Sequence, residues 1–401
     1  MDFDGGRYYT LNRVMLSTIG LWPYQNAWHV QIQRISCLLY FVSLIIIQLF
    51  TFVTYEYNLD HLLEILSCTI PCFIVILKYV TYCVKMKSIK KIMKTIKYDW
   101  NTLKNEMEYE IIKKYTYIGA FYALLFARKM GETLLCYITI MTYSIPIFFV
   151  CVHFIPNLLD LVAPLNQSRP RHLLILVEYF VDSDEYFYPT LLHLFVGFFI
   201  LQITLMSTTS IYVAFIQHAC GMFEIASYRI EHVLDDHKRG NSVSERRCVA
   251  CARIISAVDI HRRAIEFFEF MKNTFVRMYF FLLLLGIASL TVSLCRAVTA
   301  KGIIENIIPI TNVFIHLFYF FFVNYSGQKV LNHSNDFLSR IYNSKWYMMP
   351  LHSQKLILFV MQRSSKNCML LVGGIYVASL EGFATTMSSS VSYFMVLYSM
   401  R

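Results

Sequence analysis

The chain has 401 residues, 57% of them hydrophobic, 16% aromatic and only 15% charged, with a mean hydropathy of +0.49 and a formal net charge of +10. Those totals exclude a soluble globular domain and a disordered chain, and they mark a polytopic membrane protein. The cations lie between apolar segments instead of forming one basic domain, so they read as a topology signal and not as a nucleic-acid surface.

The opening, MDFDGGRYYTLNRVML, is acidic and polar and lacks the character of a cleavable signal. Residues 8–29 carry Leu11, Val14, Met15, Thr18 and Ile19 at helical spacing, which predicts a short amphipathic helix at the membrane, stopped by Gly20 and Pro23. Seven apolar spans are expected at about 32–55, 61–84, 130–154, 186–216, 275–298, 304–325 and 368–399. Pro71 and Pro146 should kink the second and third, whereas Pro189 and Pro309 fall in the first turns of the fourth and sixth.

Lys and Arg set the orientation. Eleven lie between the second and third spans and ten between the fourth and fifth, against Arg169, Arg171, Arg296, Lys301 and Arg401 on the other side. The positive-inside rule then places the N-terminus in the cytosol and the C-terminus outside, opposite to a G-protein-coupled receptor. The cytosolic segments are themselves patterned: Ile89, Ile92, Met93, Ile96, Trp100, Leu103 and Met107 follow helical steps, as do Ile254, Val258, Ile265, Phe268 and Met271. Only 236–245 reads as flexible, and 326–366 as partly helical with a turn at Trp346, Tyr347 and Pro350. The outer loop 155–185 holds the sequon Asn166-Gln167-Ser168.

Eleven scattered cysteines, an odd number, argue against a disulfide framework, and Cys248 and Cys251 have CxxC spacing without a second pair. His153, His193 and His316 stand on different helices and suit pocket walls better than a metal. No phosphate loop, metalloprotease, nucleophile-elbow or paired-carboxylate pattern is present, so the sequence offers catalysis no footing and implies no cofactor.

The last stretch is unusual for an apolar span. Thr385, Ser388, Ser389, Ser392 and Ser399 recur at three-, four- and seven-residue steps on one face, which Val396 and Met400 interrupt near the outer end as an apolar constriction would. The stripe either lets helices pack closely or lines a pore, and a pore would require several copies around an axis. Lys78 and Glu381 sit at membrane depth, so either they approach each other or Lys78 reaches for the cytosolic surface. Phe73, Tyr143, Ile147, Phe187, Leu191, Phe195 and Phe314, with Thr311 as a polar handle, would line a cleft for a small apolar ligand if they are not core.

At these residues the chain resembles the insect odorant receptors. LNRVMLSTIGLWP looks like their N-terminal re-entrant segment, and TIKYDWNTL carries their D/E-W pattern. YNSKWYMMP (342–350), Lys355, MQRSSKN (361–367), SLEGF (379–383, with Glu381) and SYFMVL (392–397, with Tyr393) follow in the family's order. The opening is most similar to the expanded receptor sets of bees, ants and wasps.

The resemblance implies an all-α, seven-span odorant-gated, non-selective cation channel subunit in the plasma membrane of an olfactory neuron dendrite. Its cytosolic helices would form an anchor domain. It divides the chain into an N-terminal segment (1–30), six helices with the ligand pocket (31–325), an anchor region (326–367) and a pore-lining last helix (368–401). It further implies a tetramer with the co-receptor Orco, a small hydrophobic odorant and conducted cations. Val396 matches the family's gate and Met400 the ring above it, while Ser399 stands where the co-receptor has glutamine. A gustatory receptor would end in T-Y, five apolar residues and Q-F, and a membrane enzyme or transporter would need convergent ion or acid–base sites. Here the ending is S-Y-FMVLY-S-M.

Overall fold

A computed structural model describes residues 4–55, 58–103, 105–124, 151, 153–154, 173, 175–182, 184–233, 243–300 and 302–400. The predicted third span, with Tyr143, Pro146 and Ile147, lies almost wholly outside them, and so does the Asn166 sequon. After a 3-10 turn at Asp4–Tyr9 come α1 (Thr10–Thr18), α2 (Ala27–Thr54), α3 (Leu59–Val84), α4 (Met86–Thr102) and α5 (Glu106–Leu124). Then follow α6 (Phe187–Glu231), α7 (Val243–Thr299), α8 (Ile303–Asn343), α9 (Leu351–Ser364), a hairpin of β1 (Leu371–Val372) and β2 (Tyr376–Val377), and α10 (Leu380–Ser399).

The two faces of α2 show the building rule. Trp28, Ile32, Ile35, Leu39, Val42, Ile46, Leu49 and Val53 are exposed, while Val30, Cys37, Phe41, Leu44, Ile47 and Thr51 are buried. Steps of three and four put each set on its own side of the helix. Water would not tolerate so long an apolar stripe, whereas lipid does. Among the described residues five helices are long and apolar enough to cross a membrane: α2, α3, α6, α7 and α8. With 45, 57 and 41 residues, α6, α7 and α8 are about 60 to 85 Å long at ~1.5 Å per residue, twice or more the thickness of the hydrocarbon layer. The cytosolic patterning predicts this, since the apolar periodicity does not stop where the membrane does.

The buried face of α1 is Asn12 and Leu16, continued by Ile19, while Val14, on the side expected to meet the membrane, is 55% exposed. Asn12 accepts from Ser210 Oγ of α6 at 2.6 Å. Four expectations need correction. Met107 does not continue the α4 face: Leu103 is extended, and Met107 lies exposed on α5. Pro309 is the seventh residue of α8, beyond its first turn, because that helix begins at Ile303. Finally, the last span does not start at 368. Gly373 and Gly374 take φ of +61° and +76° and turn the antiparallel hairpin, so the helix begins only at Leu380. Residues 243–245, expected to be flexible, open α7.

The N-terminal segment is fixed by a helix-end motif. Leu21 N donates to Leu16 O at 2.8 Å across Gly20, whose φ is +70°. Tyr79 Oη of α3 and Arg34 Nε of α2 then donate to Ile19 O and Gly20 O, both at 2.9 Å.

In the lengths that extend past the expected spans the helices are tied by charge. Asp99 of the D-W pair, 1% exposed, binds Arg263 of α7 and His218 Nε2 of α6, the latter at 3.0 Å. Arg229 of α6 grips Glu108 of α5 with two bonds of 2.6 and 2.7 Å and donates to Ser256 O of α7 at 3.0 Å. Arg340 of α8 reaches Glu224 of α6 at 3.0 Å. Such charge-assisted contacts set helix register as well as attraction. Asp99→Ala takes the shared acceptor from the half-buried Arg263 and the buried His218 and should cost about 3 kcal/mol of stability. Asp259→Ala, which breaks only the exposed 2.9 Å pair with Arg262, should cost less than about 1 kcal/mol. Thermal unfolding of the two purified variants checks this ordering, and equal losses would contradict it.

Candidate functional site: the seat and face of the last helix

The last helix is held at its N-terminal end by one stretch of α8. Asn324 Oδ1 accepts from Tyr376 Oη at 2.7 Å and from the Ser379 N–H at 3.1 Å. One turn on, Gln328 Oε1 accepts from the Leu380 N–H at 3.2 Å. Between them Gly327 lets the chains touch, since a Cβ there would lie 2.2 Å from Ala378 O. Ser379 caps the helix, its Oγ accepting from Gly382 N at 3.0 Å, and Thr386 Oγ1 donates to Tyr376 Oη at 3.1 Å. Helix N-terminal N–H groups lack intrahelical partners, and this seat satisfies several of them in a place where water is scarce.

Above the seat α10 has two kinds of hydroxyl. Thr386 and Ser390 are buried against the bundle, where Thr291 Oγ1 of α7 donates to Ser390 O at 3.4 Å. These two are the close-packing hydroxyls. Thr385, Ser388, Ser392 and Ser399, all from the predicted stripe, are exposed, and Ser389 is half-buried. Val396 (55%), Tyr393 (59%) and Met400 (79%) are exposed as well. The stripe therefore faces away from its own chain. On another side, through Leu397 and Tyr398, the end of α10 borders a small open cleft against α3 and α7, walled also by Leu59, Leu63, Cys295 and Thr299. Nearby, Arg296 of α7 pairs with Glu64 of α3 at 3.0 Å.

The predicted ligand residues scatter. Phe187 and Leu191 are buried, Phe195 stacks on Phe199 with ring centres 6.1 Å apart, and Thr311 is half-buried. Phe73 and Phe314 are exposed, at 45% and 68%, and Tyr143 and Ile147 lie outside the described residues. Lys78 and Glu381 do not pair, nor does Lys78 reach the surface. The ammonium is 1% exposed, donates to Thr209 Oγ1 at 2.8 Å and lies 4.6 Å from the Tyr319 ring centre, whereas Glu381 is exposed in the first turn of α10. Among the described residues no group of three or more potential metal ligands converges. His193 instead sits between Ser43 Oγ at 3.0 Å and Tyr179 Oη at 2.7 Å, and His316 Nδ1 meets Asn312 O at 2.7 Å. Trp346, Tyr347 and Pro350 form the turn into α9, where Gln354 Nε2 donates to Tyr347 O and Met349 O, each at 2.8 Å.

A second cavity, of about 30 Å³, lies between α7, α8 and the hairpin, with Tyr279, Tyr319, Asn324, Val372 and Tyr376 among its walls. Sequence reasoning missed it together with the seat. The signal that could have found both is Asn324, Gly327 and Gln328 interrupting the apolar run FYFFFV.

The family model described as 7tm Odorant receptor matches residues 58–391. The chain belongs to the odorant receptor family. That family comprises ligand-gated ion channels, not enzymes. The fold is similar to that of the insect olfactory receptor OR5 from Machilis hrabei in complex with eugenol, with a TM-score of 0.73 and 13% identity over 99% of this chain and 98% of that one. The structure of the same receptor described without eugenol gives a TM-score of 0.67 and 13% identity over 99% and 97%. No curated protein matches by sequence.

In this receptor the seat makes a sharp stability prediction. A Cβ added at Gly374 would have no neighbour within 4 Å, so Gly374→Ala meets only the strain of a positive φ, about 1 kcal/mol. Gly327→Ala must push two backbones apart and should cost at least about 2 kcal/mol. Fluorescence-detected thermal unfolding ranks them, and a neutral Gly327→Ala would mean that α8 and Ala378 are not in contact.

Proposed function

We propose that this receptor is an odorant-tuned subunit of a tetrameric, non-selective cation channel whose pore is bordered by the exposed hydroxyl face of α10. The observation that carries the reading is the division of hydroxyls on that helix: Thr386 and Ser390 serve packing, while Thr385, Ser388, Ser392 and Ser399 are left facing outward. A single exposed polar face at membrane depth needs water or a protein neighbour, and closed symmetry supplies both when copies ring an axis. Val396 and Met400 then narrow the path near its outer end, as rings of apolar side chains do in dewetting gates.

Seven spans with the N-terminus in the cytosol and the C-terminus outside follow from the Lys and Arg distribution together with the family. The odorant is a small apolar volatile held among the outer halves of the helices, near Phe187, Leu191 and Phe195. The structural relative with eugenol supports that ligand class. The partner is the co-receptor Orco, and the site of action is the plasma membrane of an olfactory neuron dendrite. Ser399 in place of the co-receptor's glutamine leaves most of the ion selectivity to that partner.

Cysteines placed singly at 385, 388, 392 and 399, in receptors co-expressed with Orco, should react with water-borne thiol reagents during activation. The reaction should run roughly ten times faster than at 386 and 390 and alter the odorant-evoked current. Equal rates at all six positions, or labelling that leaves the current unchanged, would remove the pore from this face.

A further inference from the structure

Where α3 ends, the exposed surface changes character within one helical turn. Phe73, Val80 and Val84 are exposed apolar residues on one face of α3. The backbone bends at Lys85, with φ −87° and ψ 12°, yet Lys85 N donates to Thr81 O at 2.8 Å and Ile89 N to Lys85 O at 3.0 Å, so α4 almost continues α3. Past Val84 the exposed side chains are Lys87, Lys90, Lys91 and Lys94, while Ile89, Ile92, Met93 and Ile96 on the other side are buried. Steps of three, one and three keep the four ammonium groups on one face, within about 11 Å along the axis.

Two contacts fix their depth. Lys90 Nζ lies 5.2 Å from the ring centre of Tyr24, four residues before Trp28, where the lipid-facing stripe of α2 begins. Lys91 Nζ lies 4.5 Å from the ring centre of Phe270, just below the predicted start of the fifth span. Aromatic residues at the end of an apolar stripe belong at the headgroup level. These lysines are also unneutralised: among the described residues none of the four forms an ion pair with a carboxylate. The positive-inside rule alone does not ask for this, because in the other basic segment Arg229, Arg262, Arg263 and Lys272 all have carboxylate partners. Asp99, the acid on α4, is buried and committed to Arg263 and His218.

From this geometry we infer that Lys87, Lys90, Lys91 and Lys94 form a binding site for a polyanionic phospholipid of the cytosolic leaflet, of the phosphoinositide class. The inference rests on the cytosolic placement of α4 proposed above. A headgroup with one phosphate would engage one or two lysines, whereas one with several phosphates matches four on a single face. Because Asp99 lies on the buried side of the same helix, lipid held on one side bears on the ion-pair cluster held on the other.

The test is binding, not current. Full-length receptor in detergent micelles is titrated with dioctanoyl phosphatidylinositol 4,5-bisphosphate and followed by thermophoresis. Saturable binding is expected, weakened roughly tenfold or more when all four lysines become Gln. It should be retained when all four become Arg and when Lys355→Gln and Lys366→Gln are made elsewhere on the cytosolic side. Binding by the four-Gln variant within a factor of about two of the original would overturn the site. Inositol 1,4,5-trisphosphate binding as tightly as the lipid would overturn it in favour of a soluble ligand. Since no odorant or co-receptor is needed, a negative result leaves the channel reading standing, and a receptor silent to volatiles can still bind the lipid.

Discussion

The carboxamide of Asn324 is the constraint from which the placement of the last helix follows. Between α9 and α10 the chain abandons helix for a two-stranded hairpin, at the level where Phe280 and Asn324 lie in their spans. Non-helical backbone there is tolerated only if the protein satisfies it, because an unpartnered amide in an apolar medium costs several kcal/mol. Asn324 meets that demand at the Ser379 N–H, accepts from the Tyr376 hydroxyl with the same oxygen, and donates from Nδ2 to Phe320 O at 2.9 Å. Gly327 and Gln328 complete the seat by allowing contact and adding a second side-chain acceptor for a backbone N–H.

Held firmly at its base, α10 becomes progressively freer. Beyond Ser390 no residue of the helix is buried, and only Phe394 remains half-buried, packed on the small cluster of Leu63, Val292 and Cys295. A rod anchored at one end and lightly packed at the other moves most at the free tip, where Val396 and Met400 sit. Local stability follows buried apolar contact, so this gradient favours motion at the outer end without unseating the base.

Much of this was legible from pattern alone. The stripe on α2, the helices continuing below the membrane and the hydroxyl face of α10 all follow from period, which is local information. What pattern does not carry was decided by distant partners. Asn12 is buried because Ser210, 198 residues away, needs its oxygen, and Lys78 is buried because Thr209 and the Tyr319 ring receive it. Neither pairing leaves a trace in neighbouring residues. The hairpin at 371–377 escapes hydropathy for a different reason. Its flanking residues are as apolar as a span, and hydropathy cannot tell a strand from a helix at that depth. The consecutive Gly373 and Gly374, both at positive φ, were the cue to a turn. A ligand site is the least legible feature, since aromatics recur on every face of these helices and pattern alone does not separate a pocket wall from core or lipid-facing surface.

The charge arrangement below the membrane argues that its two basic segments do different work. Arg229 of α6 and Arg263 of α7 point inward to carboxylates and hold helices together, the first on Glu108 and the second on Asp99. On α4 Lys87, Lys90, Lys91 and Lys94 point outward, and Lys90 and Lys91 lie against aromatic rings. Arg suits the first task because its planar fork binds a carboxylate with two bonds, as Arg229 does, and stays charged when partly buried. Lys suits the second, because its strongly hydrated ammonium on a flexible stem remains at a wet interface and adapts to a mobile headgroup. A topology signal would be served equally by either residue at either place. Arg229 and Arg263 therefore tie the helix cluster on one side of Asp99, while the four α4 lysines leave an exposed cationic face on the other.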